Sequence, residues 1–80
     1  MSETIELSYP VEVEGHKYSE IEIRRPVVSD MLVADRAKGN EAIKEIAMFS
    51  TLSELSPSVI EALDLSDYRK LQEAYQGFLS

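Results

Sequence analysis

The sequence predicts an α+β fold in which an N-terminal antiparallel β-hairpin packs against three to four short C-terminal helices. Three observations carry this reading. Residues 5–13 alternate apolar and polar side chains with a period of two. The alternation resumes after a glycine-containing turn and runs to Arg24. Beyond Arg24-Arg25-Pro26 the apolar spacing changes to three and four. A two-stranded ribbon is marginal alone in water, so the helices must cover its apolar face.

The hairpin occupies about residues 4–25. Ile5, Leu7, Tyr9, Val11 and Val13 fall on odd positions, and Glu6, Ser8, Glu12 and Glu14 on even ones; Ile21 and Ile23 continue the odd set, and Glu20, Glu22 and Arg24 the even set. Successive strand side chains point to opposite faces, so one face is apolar and the other charged. A two-residue loop at Gly15-His16 would turn Ile21 and Ile23 away from the apolar face. Burial therefore predicts an odd loop, Gly15-His16-Lys17, or a bulge between Tyr18 and Glu20, with Val11 near Ile21. On this reading Val13→Asp costs several kcal/mol and Glu12→Lys little.

Pro26 ends the second strand because it has no amide hydrogen for the ladder. Ser29-Asp30 is an N-cap signal for a helix over about 30–38, with Gly39 as its left-handed stop. Asn40 caps a helix over about 41–53, in which Ile43, Ile46, Ala47, Phe49 and Leu52 form an apolar face. Ser56-Pro57 opens a third, about 57–64, with proline at its favoured first position and Val59, Ile60 and Leu63 inward. Ser66-Asp67 opens the last, about 67–79, with Tyr68, Leu71, Tyr75, Phe78 and Leu79 in one stripe. Eighty residues without a linker, repeat or low-complexity tract predict a single domain, 1–80.

Composition narrows the function. The net charge of −7 argues against phosphate-mediated nucleic-acid binding, which needs a basic footprint. No apolar run is long enough to span a membrane, and Met1-Ser2-Glu3-Thr4 lacks the features of a signal peptide. There is no cysteine, hence no disulfide framework or thiolate metal site. These features fit a cytoplasmic protein. The acidity gathers in the hairpin, at Glu3, Glu6, Glu12, Glu14, Glu20 and Glu22. Two readings stay open: a solvated strand face whose charges discourage edge-to-edge aggregation, or a docking face for a basic partner.

No constellation of catalytic residues emerges. His16, the sole histidine, sits in the hairpin turn, and nothing completes a zinc site with it. Glu20 and Glu22 share a face but lie on an exposed strand without a pocket to shift a pKa. Gly15, Gly39 and Gly77 are scattered and form no phosphate-cradling loop. No serine has a nucleophile context, and alternation sends Arg24 and Arg25 to opposite faces. No cofactor or metal is expected. The residues point to a binding or assembly protein rather than an enzyme.

The order of short signals carries a resemblance. Pro10-Val11-Glu12-Val13-Glu14-Gly15 leads into Ile21-Glu22-Ile23-Arg24-Arg25-Pro26, then Ser29-Asp30-Met31-Leu32, Leu55-Ser56-Pro57, Asp67-Tyr68-Arg69-Lys70-Leu71-Gln72 and Gly77-Phe78-Leu79. In this order the chain resembles, over nearly its whole length, the tail assembly chaperones of Mu-like and related contractile-tailed bacteriophages. The resemblance implies a non-enzymatic role in phage or prophage tail assembly. The implied partners are the tape measure protein and the tail tube protein, with self-association open. The implied location is the cytoplasm of an infected or lysogenic host, not the mature virion. It also implies a longer form made by ribosomal frameshifting; Gly77-Phe78-Leu79 can be encoded with a slippery run of thymines. No catalytic residues transfer, because the family has none. Tyr75, Phe78 and Leu79 are the expected partner-binding residues, since little sequence follows to cover them. Two other function classes stand beside this one: an acidic regulatory decoy for a basic partner, and a permanent structural subunit of a tail or baseplate.

Overall fold

The computed structural model describes residues 2–80. Strands β1 (Ser2–Val13) and β2 (His16–Arg24) form the antiparallel hairpin, followed by helices α1 (Val28–Arg36), α2 (Glu41–Ser53), α3 (Pro57–Ala62) and α4 (Leu65–Leu79). The α+β architecture is the expected one. One face of the hairpin lies against the helices, where Ile5, Leu7, Ile21 and Ile23 meet Phe49 and Leu52 of α2, Ile60 of α3, and Leu71, Ala74 and Phe78 of α4. Each of these isoleucine, leucine and phenylalanine side chains, fully buried, contributes roughly 1.5–3 kcal/mol. The Tyr68 and Tyr75 rings meet Phe49 edge-on, with centroids 5.5 and 6.1 Å away, the arrangement favoured by the ring quadrupoles.

The hairpin register departs from the expectation. The turn is Glu14-Gly15, both at positive φ (51° and 81°), as a two-residue hairpin turn requires. Val13 therefore pairs with His16, and Val11 with Tyr18 rather than lying near Ile21. Towards the open end the odd positions do meet, Ile5 opposite Ile21. The two registers are reconciled on β1, where Leu7 to Pro10 stand opposite Ser19 alone, so the irregularity falls on the strand facing the expected site.

Its cause is Asp67. Successive strand amides normally point to opposite edges, yet the Ser8 and Tyr9 N–H groups both donate to the Asp67 carboxylate, at 2.9 and 3.0 Å. Such convergence needs a kinked strand, and Pro10 beside it has no amide to lose from the ladder. Tyr9 is consequently 60% exposed, and Val11 and Val13 are only half-buried. Burial of the odd face is complete only from Ile5 to Leu7 and at Ile21 and Ile23. Val13→Asp should accordingly cost much less than expected.

Helix boundaries shift for similar reasons. α1 begins at Val28, with Val27 as its cap residue instead of Ser29; Asp30, at the third helical position, accepts the Val27 N–H at 2.8 Å. α1 ends at Arg36, short of residue 38, and Gly39 (φ 130°) lies between helices instead of stopping one. A Cβ at Gly39 would stand 2.6 Å from the Ile43 Cδ1, so the glycine permits close approach to α2. α2 is capped by Asn40, whose Oδ1 accepts the Ile43 N–H at 3.0 Å. Ser56 and Pro57 open α3, which closes at Ala62, two residues early. α4 starts at Leu65, before residue 67, because Asp64 caps it by accepting the Ser66 N–H at 3.0 Å. That frees Asp67 to turn into the protein.

Candidate functional site

Two buried carboxylates set the geometry around which any surface is displayed. Asp67 is fully buried, and Lys70 Nζ lies 3.1 Å from its Oδ1. Burial pushes its pKa up, but the Ser8 and Tyr9 amides and the Lys70 ammonium outweigh this and hold it below the usual carboxylate range. Asp30 is buried at the start of α1 and receives both Arg24 guanidinium nitrogens, at 2.7 and 2.8 Å. The Arg24 fork lowers its pKa, against the opposing effect of burial. Both groups are fully partnered and tie strands to helices.

The feature open to a partner is the outer face of α1. Its inward side carries Asp30, Ala34 and Ala37, at i, i+4 and i+7. Its large apolar side chains face out: Val28 is 74% exposed and Met31 58%, and Leu32, Val33, the adjoining Val27 and Ile43 of α2 are exposed as well. Ile43 was expected in the core, but it stands at the end of α2 beside Gly39, beyond the reach of the sheet. The only fully buried residue of α1 is Asp30, so this helix gives the core no apolar side chain. Contiguous exposed apolar surface of this kind marks interaction sites. Arg25, Arg36, Lys38 and Lys44 accompany it, in contrast to the acidic hairpin.

The residues expected to bind a partner separate. Phe78 is 7% exposed and belongs to the core. Tyr75 is half-buried and lines a groove of about 240 Å³ with Ala34, Glu45, Met48 and Phe49. Leu79 is 59% exposed at the end of α4. Sequence reasoning missed the α1 face, although a signal existed. Met31-Leu32-Val33 are consecutive, and three adjacent helical positions span too wide an arc to face one core.

His16, Glu20 and Glu22 are all exposed. Among the described residues, no group of three or more histidine, aspartate or glutamate side chains is placed to hold a metal ion. No helix among them is long and apolar enough to cross a membrane. Tyr68 is the other perturbed group: burial first, then its hydrogen bond to Glu45, raises its pKa. Gln72 Nε2 also donates to Glu45, at 2.9 Å, so this cluster locks α4 to α2.

Comparison with known proteins yields one finding. The family model described as phage tail assembly chaperone proteins, E, or 41 or 14, matches residues 4–80. No curated protein and no solved structure matches the chain.

Proposed function

The chain belongs to the family of phage tail assembly chaperones, and we propose that it binds the tape measure protein while the tail is built. In this reading it keeps that long helical protein soluble and presents it to the tail tube subunits that polymerise around it. It performs no chemistry. It works in the cytoplasm of the infected or lysogenic host and is gone from the mature virion. A frameshifted longer form would keep these residues as its N-terminal part; the DNA around the Phe78 codon tests this directly.

The observation that supports this reading is the α1 face. A tape measure helix has apolar seams that need temporary cover, and the outward Val28, Met31 and Leu32, at i, i+3 and i+4, suit an amphipathic helix laid across them. Each contact is small, so retention along a long partner comes from many copies. Tyr75 stands as a candidate at the margin, in the groove shared with Ala34, and Leu79 as another, exposed at the end of α4. Phe78 leaves the surface because its side chain is structural.

Co-expression with the tape measure protein tests the reading. The wild-type chain should hold it in the soluble fraction and co-purify with it. The double substitution Met31→Asp, Leu32→Asp should lose both effects with an unchanged melting temperature. Capture that survives the double substitution overturns the α1 assignment. Recovery of the chain from purified virions favours a structural subunit instead. Leu79→Asp replaces truncation after Gln76 as the test of the margin, because truncation would also remove Phe78 from the core.

A further inference from the structure

The two edges of the hairpin are treated differently. The outer edge of β1 is closed by α4: Asp67 takes the Ser8 and Tyr9 amides, and Lys70 Nζ donates to the Glu6 carbonyl at 3.1 Å and the Ser8 hydroxyl at 2.8 Å. β2 has no such closure. Among the described residues, no hydrogen bond from outside the hairpin reaches the main chain of Tyr18 to Ile23. An open edge is a template for another strand, and proteins usually guard one with lysine, proline or a bulge. β2 has none of these between Tyr18 and Ile23; its guard there is the acidic pair Glu20 and Glu22, which repels another acidic edge and admits a basic one, and its kink-bearing partner strand is the one already closed.

A shallow groove of about 420 Å³ adjoins this edge. Tyr18, Glu20 and Glu22 of β2 line one side, and Leu52, Glu54 and Leu55 at the end of α2 the other. On the solvent face Glu6 and Glu20 are direct cross-strand partners, and Glu22 is two residues further along. Like charges placed opposite one another destabilise a sheet. Among the described residues none of the three takes part in a salt bridge. The free hairpin therefore carries a repulsion that a cation alongside β2 would relieve.

We propose that the open edge of β2 binds an extended segment of a partner protein in which basic and apolar residues alternate. Strand addition supplies main-chain hydrogen bonds, and side-chain alternation supplies specificity. One set of the added side chains would lie beside Glu20 and Glu22, which selects lysine or arginine. The other set would face the half-buried Leu55, which selects apolar residues; Leu52 is closed off in the core. A second copy of this chain is disfavoured, because pairing β2 with β2 would bring the glutamates of both copies together. The same charges that discourage self-assembly thus select a basic strand. This surface is separate from α1, so its failure leaves the reading of α1 untouched.

The test uses the full chain and a synthetic peptide of alternating lysine and valine, as long as β2. Hydrogen exchange is followed amide by amide by NMR. The peptide should slow exchange within Tyr18–Ile23 by more than about tenfold and leave the α1 amides unchanged. Two further peptides are N-methylated on one or the other alternate set of amides; one set should abolish binding and the other should not. A glutamate–valine peptide should fail to bind, and Glu20→Lys with Glu22→Lys should weaken lysine–valine binding at least about tenfold at a melting temperature no lower than that of wild type, since Lys at 20 would pair with Glu6. Equal binding of both methylated peptides, which reduces the contact to surface charge, overturns the proposal. So does protection located outside β2. Protection of β2 that rises with protein concentration in the absence of peptide overturns it in favour of a second copy.

Discussion

α1 and α4 each carry, at the third helical position, an aspartate whose buried carboxylate grips a strand: Asp30 holds Arg24 at the end of β2, and Asp67 holds the amides of Ser8 and Tyr9 in β1. In α4 the anchored side is also the apolar side, so Leu71, Ala74 and Phe78 follow Asp67 into the core. In α1 the anchored side continues only as Ala34 and Ala37, and the large apolar side chains lie across the helix from it. The buried carboxylate decides which face of each helix turns inward. The rest of the helix decides whether that face can hold a core or whether its apolar residues are left for something else.

The comparison breaks most sharply at the anchors. Asp67→Ala leaves the Ser8 and Tyr9 amides without their acceptor and removes the partner of the partly exposed Lys70, and should cost about 3–5 kcal/mol in urea unfolding. Asp30→Ala should cost less, about 1.5–3 kcal/mol, because it holds one main-chain amide, that of Val27, where Asp67 holds two, and its partner Arg24 is as exposed as Lys70. Equal costs would mean that the two anchors are equivalent after all. Along the helices, Leu71→Ala should cost about 2–5 kcal/mol, whereas Leu32→Ala should stay within about 0.5 kcal/mol of wild type. A comparable loss at Leu32 would show that the α1 face is packed, not free.

Acid titration sharpens the same contrast. Both aspartates have folded-state pKa values below their unfolded ones. Their contribution is therefore fully present above the unfolded value, about 4, and is lost as pH falls through the folded values. Denaturant midpoints should be flat from neutral pH to about 5 and decline below about 4; Asp67→Ala and Asp30→Ala should each flatten that decline. A small effect of opposite sign sits at the end of α4, where Gly77 is exposed and an added Cβ would meet nothing within 4 Å. Gly77→Ala should raise stability by about 0.5–1 kcal/mol, read as a rise in melting temperature.

Much of this frame was legible in the sequence, because local chemistry dictates it. Asn40 before an amphipathic run, Ser56-Pro57 before a short one, and the paired parity of Ile5, Leu7, Ile21 and Ile23 all act within a few residues of themselves. The kink at Leu7 to Pro10 was not legible, since its cause is a side chain in the last helix. Asp30 and Asp67 look like helix-start residues favourable to the dipole, and nothing nearby reveals that each is drawn inward by a strand. The α1 face was missed for the converse reason. The arc of Met31-Leu32-Val33 is too wide for one core, but which part of it turns outward depends on the anchored side, set by Asp30. Phe78 was assigned to the surface from its place near the end of the sequence, but Leu71 and Ala74 carry the same stripe inward to it.

The Asp67 grip also has a bearing on timing. Its carboxylate reaches amides 59 and 58 positions earlier in the chain. A hairpin by itself closes within microseconds, but closing a loop of that length carries an entropic cost that must be met before the contact forms. Translation delivers β1 and β2 first and α4 last. Until then the young hairpin has no clamp on Ser8 and Tyr9 and is free to settle into the unkinked pairing that keeps its odd residues in line. The later-made α4 therefore reshapes the earlier-made hairpin, and maturation of the hairpin should wait until α4 has emerged from the ribosome.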